Sequence, residues 1–132
     1  MAQVISRISL LVADQDEAIS FFVDKLGFKL LEDTQVSPTK RWVVVAPPGS
    51  SGCAVLLSKA SEEQQTLRVG NQTGGKVLLV LETDSFDNDL ERLRKHQITI
   101  VRGPSSQEWG RVVVFEDLYG NLWDMVERVP GQ

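Results

Sequence analysis

The sequence predicts an α+β protein of two tandem βαβββ modules, whose curved, mostly antiparallel sheets form a cleft with the helices outside. Three observations carry that prediction. The order of apolar segments in residues 5–59 returns in residues 75–129. In each half an alternating segment precedes one of helical spacing, and three strand-length segments follow. Equivalent turns, Pro47–Gly52 and Asp117–Asn121, stand before the last strand of each half. Matching positions of the halves are expected to face one another across the cleft. The 132 residues are read as a single domain, with module 1 at about 4–59, a linker at about 60–74 and module 2 at about 75–129.

In the first strand Ile8, Leu10 and Val12 point one way and Arg7, Ser9 and Leu11 the other. The apolar set needs a helix, and Asp14 to Lys25 supplies it through Ala18, Ile19, Phe22 and Val23, with Leu26 just beyond. Asp14 is the expected N-cap with Glu17 as its capping-box partner, and Gly27 sits where a glycine ends a helix. Strands are expected at Phe28–Leu31, Arg41–Ala46 and Ala54–Leu57.

The second half repeats the series. Val77, Leu79 and Leu81 form the helix-facing set of Lys76–Glu82, and Phe86, Leu90 and Leu93 form the buried stripe of a helix capped by Asp84. Strands at Ile98–Val101, Arg111–Glu116 and Asn121–Val126 complete it. The polar stretch from Ser58 to Gly75 reads as linker with one helical turn at Ser61–Leu67, and Ser61–Thr73 is also a lid candidate.

Hydrophobic residues make up 42% and charged residues 24% of the chain, an ordinary globular balance. A formal charge of −4 argues against a general nucleic-acid surface, which needs clustered Lys and Arg. No apolar run approaches the ~20 residues that span a bilayer, so no membrane partner is expected. The opening residues pass into a strand without a signal-type apolar region. With Cys53 alone there is no internal disulfide, and a reducing cytoplasm is the expected setting.

Three stretches carry a wider likeness. They are Ile8-Ser-Leu-Leu-Val-Ala-Asp14 before a helix with Ala18 and Phe21-Phe22, Leu26-Gly27-Phe28 at the helix exit, and Phe115-Glu-Asp-Leu-Tyr-Gly-Asn-Leu-Trp123. Together they resemble the vicinal oxygen chelate superfamily of glyoxalase I, extradiol dioxygenases, bleomycin-binding proteins and fosfomycin-modifying enzymes. Leu118 stands where that family's Asp-Pro-x-Gly-Asn turn has proline.

The resemblance implies four inward positions that hold a divalent cation in metal-using members. They fall on Arg7, Ala54 (give or take a residue), Lys76 and Asp124. Arg keeps its proton and Lys gives it up reluctantly, Ala54 offers nothing, and one carboxylate is no metal site. The only histidine, His96, lies at the end of the second helix. No metal and no cofactor are therefore expected, and glyoxalase I or dioxygenase chemistry is set aside. Ser-His-Asp, Cys-His, phosphate-loop and dinucleotide patterns are missing too.

Arg7, Lys76 and Asp124 would then give the cleft net positive charge. One reading is a pocket for an anionic or polar small molecule, gripped bidentately by Arg7. The other is an ion pair of Asp124 with Arg7 or Lys76 that fills the space of a lost metal. Trp42 and Trp109 either stack on a flat ligand or cover core, while Trp123 is expected in the core. Arg41 and Arg111, near mates in the repeat, either reach the cleft mouth or stand as surface charge. Three functions stay open: a small-molecule binder that sequesters its ligand, a metal-independent lyase or isomerase with Asp124 as acid and base, or a structural or regulatory partner. A homodimer is expected from the family resemblance.

Overall fold

A computed structural model of the chain describes residues 1–129. The chain forms two compact units, residues 1–69 and the residues from Gly70 onward. The first holds β1 (Arg7–Val12), α1 (Gln15–Ile19) continued by a π-helical segment Ser20–Lys25, β2 (Lys29–Ser37), β3 (Lys40–Ala46), β4 (Ala54–Lys59) and the short α2 (Glu63–Thr66). The second holds β5 (Val77–Glu82), α3 (Phe86–Lys95), β6 (Ile100–Gln107), β7 (Gly110–Glu116) and β8 (Leu122–Arg128). Each unit builds one four-stranded sheet, in the orders β1-β4-β3-β2 and β5-β8-β7-β6. The first strand of each pairs in parallel with the last, and the remaining pairs are antiparallel. The fold is the expected α+β doubling of βαβββ.

Alternation explains the layers. Leu10 and Val12 of β1, Val43 and Val45 of β3 and Leu57 of β4 are fully buried on the side that meets the helix, as are Ala18 and Phe22 of the helix itself. Phe22 meets Phe21 edge-on at 5.1 Å and Phe28 at 5.8 Å. In the second unit Phe86, Leu90 and Leu93 face Val113, Phe115, Trp123 and Met125, all buried. Phe115 and Trp123 stack at 6.0 Å. Burying each large side chain contributes about 1.5–3 kcal/mol, so these layers hold each unit together.

The helix ends follow from local chemistry. Asp14 caps α1 by accepting the Glu17 N–H at 2.8 Å. Gly27 leaves the helical segment at φ 88°, and the Phe28 N–H closes the end on the Phe22 carbonyl at 2.8 Å. The expected Asp84 cap is corrected. The cap position of α3 is Ser85, and its side chain caps nothing. The donors there go instead to Thr83 Oγ1, which accepts the Ser85 N–H at 2.9 Å, and to Glu127 Oε2, which accepts the Phe86 N–H at 3.3 Å. A carboxylate from β8 thus stands in for a local cap.

Strands β2 and β6 run well past the expected Phe28–Leu31 and Ile98–Val101. Both are edge strands, interrupted by register shifts and mostly exposed along their added length. Pro104 is tolerated in β6 because an edge strand has one unpaired side. No described helix is long and apolar enough to cross a membrane.

Candidate functional site

Residues paired across neighbouring strands share a face, so the registers say what each sheet presents on the side turned from its helix. In the first unit Arg7 pairs with Ala54 and Ser9 with Leu56. Val44 pairs with Leu56, Glu32 with Val44, Thr34 with Trp42 and Lys29 with Ala46. Val44, Ala46 and Ala54 form a buried apolar cluster with Trp42 and Leu56 packed against it. Lys40 Nζ lies 5.7 Å from the centre of the Trp42 ring. Trp42 therefore stands half-buried on the face turned from the helix, the open face, beside that buried cluster and Lys40.

In the second unit the corresponding face is more mixed. Val80, Asp124, Val114 and Arg102 lie in one row across all four strands. Asp124 is half-buried and Arg102 exposed. Lys76 is exposed and precedes β5 by one residue, and Trp109 precedes β7, half-buried, with its carbonyl accepting the Val129 N–H at 2.7 Å. Among the described residues Lys76 and Asp124 form no ion pair with each other.

The registers also revise which positions are repeat-mates. Arg7 opens β1 opposite the first residue of β4, and Val77 opens β5 opposite Leu122, the first residue of β8. The mate of Arg7 is Val77 rather than Lys76. Two residues along, Asp124 corresponds to Leu56 rather than Ala54. The longer turn before β4 hid that offset.

Arg41 and Arg111 occupy the helix side of their sheets. Arg41 Nη1 donates to Asp16 of α1 at 2.8 Å, and its Nε and Nη2 donate to the two oxygens of Asp33 on β2, each at 2.8 Å. Arg111 repeats the device, donating to Asp87 of α3 and to Glu127 of β8, each at 2.8 Å, and its guanidinium lies 4.6 Å from the Phe86 ring centre. Arg111, expected among the ligand contacts, thus joins the start of a helix to its sheet. Hydrogen bonds from Arg41 hold the Asp33 carboxyl below its usual range despite some burial. Those from Arg111, then the Phe86 N–H, do the same for Glu127. Both guanidinium groups are shifted upward in return.

A depressed carboxylate stabilises the fold at any pH above its unfolded value and loses that contribution as pH falls through its folded value. Stability should hold from neutral pH to about 5 and then fall below the ordinary carboxylate range near 4. An Arg41→Met, Arg111→Met double variant should show a shallower decline. Urea midpoints between pH 7 and 3 check this, and equal slopes for both proteins would remove the clamps from the account.

Of the buried polar residues Gln15, Asp117 and Asn121, the first was absent from the sequence reading and the other two entered it only as a turn. Gln15 Nε2 donates to the carbonyls of Arg41 at 3.0 Å and Leu57 at 2.9 Å, joining α1 to β3 and β4. Asp117, 5% exposed, accepts from the Tyr119 and Asn121 N–H groups, Asn121 Nδ2 and Trp123 Nε1. The Asp-x-x-Gly-Asn spacing was the signal for Asp117; nothing in the sequence marked Gln15.

Residues 4–125 match the Glyoxalase/Bleomycin resistance protein/Dioxygenase superfamily. The chain belongs to that superfamily. It is 53% identical over 128 residues to a protein of Shewanella frigidimarina (strain NCIMB 400), covering 96% of this chain and 95% of that one. It is 28% identical over 127 residues to YetH of Bacillus subtilis (strain 168), covering 96% of this chain and all of that one. Among solved structures UcmS2 superposes with a TM-score of 0.83 at 28% identity, covering 96% of this chain and 98% of that one. TnmS3, an antibiotic binding protein from Streptomyces sp. CB03234, superposes with a TM-score of 0.78 at 31% identity, covering 98% of each chain.

At the strand positions where the family resemblance implies a divalent cation, the side chains offer too few ligands for one. Of the strand positions equivalent to one another, Arg7, Leu56 and Val77 bring no ligand and Asp124 brings one carboxylate. Among the described residues no group of three or more His, Cys, Asp or Glu gathers where a metal ion could be held.

Proposed function

We propose that this superfamily member binds a small polar or anionic organic molecule without a metal ion and sequesters it without turnover. The observation that carries the reading is the open face of the first sheet, where Trp42 packs against the Val44, Ala46 and Ala54 cluster and Arg7 borders it. An apolar floor with an aromatic wall and few polar groups is the common build of a small-molecule site. The likeness to TnmS3, an antibiotic binding protein, supports the same choice. In this reading Arg7 and Trp42 are the ligand contacts of the first unit, and Lys76, Asp124 and Trp109 are candidates that the second unit carries by itself. Arg111 stays with its carboxylates.

The chain is further read as a cytoplasmic homodimer. Leu30, Leu31 and Val36, exposed on edge strand β2, favour pairing with a second copy, and the free thiol of Cys53, itself exposed, suits a reducing setting. Light scattering on the purified protein reads the mass directly.

Thermal unfolding against a panel of metabolites and antibiotics tests the binding claim. A ligand at a hundred times its Kd should stabilise the protein by about 2.7 kcal/mol. Trp42→Ala and Arg7→Ala should each reduce that gain. A panel without a hit, a ligand consumed in a reaction that Asp124→Ala abolishes, or stoichiometric metal in the purified protein would each sink the proposal.

A further inference from the structure

We propose that the open face of the first sheet selects aromatic acids, flat apolar molecules carrying a carboxylate or sulfonate, with Arg7 and Lys29 gripping the anion. The inference rests on the binding reading above and names its ligand class. Arg7 pairs with Ala54 and Lys29 with Ala46. Because Val45 pairs with Val55, Ala46 stands opposite Ala54 in the same ladder. One row therefore reads Arg7, Ala54, Ala46, Lys29 across all four strands, with the cations at its ends and two methyl groups between them. Strands lie ~4.8 Å apart, so the end Cα atoms are about 14 Å apart. Side chains as long as Arg and Lys can close over one anionic group across that gap.

The adjoining rows supply the flat apolar surface. Val44 and Trp42 follow Ala46 along the same face of β3, and Lys40 sets a third cation over the Trp42 ring. Against these three cations the face carries one carboxylate, Glu32, opposite Val44. This local excess of positive charge occurs in a chain whose formal charge is −4. Among the described residues, ion pairs engage Arg41, Arg111 and Arg128 and leave Arg7, Lys29 and Lys40 out. A neutral hydrocarbon would use the floor and waste the cations. An aromatic acid uses both, its anion taken bidentately by Arg7 and as a point charge by Lys29.

Two fluorescent probes of one ring system separate the terms: 8-anilinonaphthalene-1-sulfonate and its neutral parent, N-phenyl-1-naphthylamine. The intact protein should bind the sulfonate at least about tenfold more tightly, the worth of one charge-assisted hydrogen bond. Arg7→Ala and Lys29→Ala should each weaken the sulfonate about tenfold and leave the neutral probe unchanged, while Lys29→Arg retains it. Trp42→Ala should weaken both probes. Arg94→Ala on α3 serves as the control, since it removes a cation far along the sequence from this face. If Arg7→Ala and Lys29→Ala do no more than Arg94→Ala, or weaken both probes alike, the assignment of ligand class is overturned. In that case continued sensitivity of both probes to Trp42→Ala would leave the binding reading standing. Failure of the intact protein to bind either probe would overturn both. Arg7 and Lys29 are exposed, and unchanged unfolding midpoints confirm that the variants fold.

Discussion

Replacing Asp117 by alanine should destabilise the protein by about 3 kcal/mol or more, since it leaves several buried neutral donors unpaired at about 1–3 kcal/mol each. Its Oδ1 accepts the Tyr119 N–H at 3.0 Å and the Asn121 N–H at 3.1 Å. Its Oδ2 accepts Asn121 Nδ2 at 3.0 Å and Trp123 Nε1 at 3.1 Å. The same turn is closed on the backbone by the Asp117 N–H to the Asn121 carbonyl and the Gly120 N–H to the Asp117 carbonyl. Alanine would strand donors where water has little access, and the entry into β8 would loosen with them. Asp117→Asn should recover little, because its amide group brings donors to face Trp123 Nε1 and Asn121 Nδ2. Trp123→Phe removes one donor along with its partner contact and should cost less than either. Urea unfolding measures all three, and a loss under 1 kcal/mol for Asp117→Ala would contradict the network's importance.

Gly110→Ala should cost about 3 kcal/mol or more and lower the unfolding midpoint by roughly 10 °C. Gly110 holds φ +148° where β7 begins, paired with Arg128 of β8. A Cβ there would run into the Glu127 carbonyl oxygen, and the Arg128 Cα lies 3.0 Å from the same point. Relief requires pushing β8 away, and Glu127 on that strand holds both Arg111 and the Phe86 N–H. Gly49 gives the contrast: its φ is +73°, yet nothing lies within 4 Å of an added Cβ. Gly49→Ala should therefore cost only the left-handed backbone preference, about 1–2 kcal/mol. Equal midpoints for the two variants would mean that β8 yields freely.

The fold was legible because its layers are written in period. Ile8, Leu10 and Val12 alternate, Ala18 and Phe22 keep helical spacing, and Gly27 stops the helix. The edge strands were illegible past Leu31 and Val101 for the opposite reason. They are polar and exposed on both faces, so no alternation marks them, and Pro104 argues against a strand that only an edge permits. The cap of α3 misled because its acceptor, Glu127, comes from forty-one residues away. Of the candidate site, Trp42 and Arg7 could be placed on the open side of their strands by parity alone. Lys29 could not, since a register shift inside β2 decides which face it takes. For Arg111 the sequence left cleft mouth and surface charge both open, because a guanidinium near a strand start looks the same in sequence whichever way it turns.

The twin arginine clamps have a consequence for which parts of this chain are free to change. Each fastens its helix to its sheet entirely on the inner layer, through Asp16 and Asp33 in one half and Asp87 and Glu127 in the other. On the opposite layer of the first sheet Arg7, Lys29 and Lys40 are exposed and take no part in that fastening. Exchanging those three side chains therefore leaves both helices tied to their sheets.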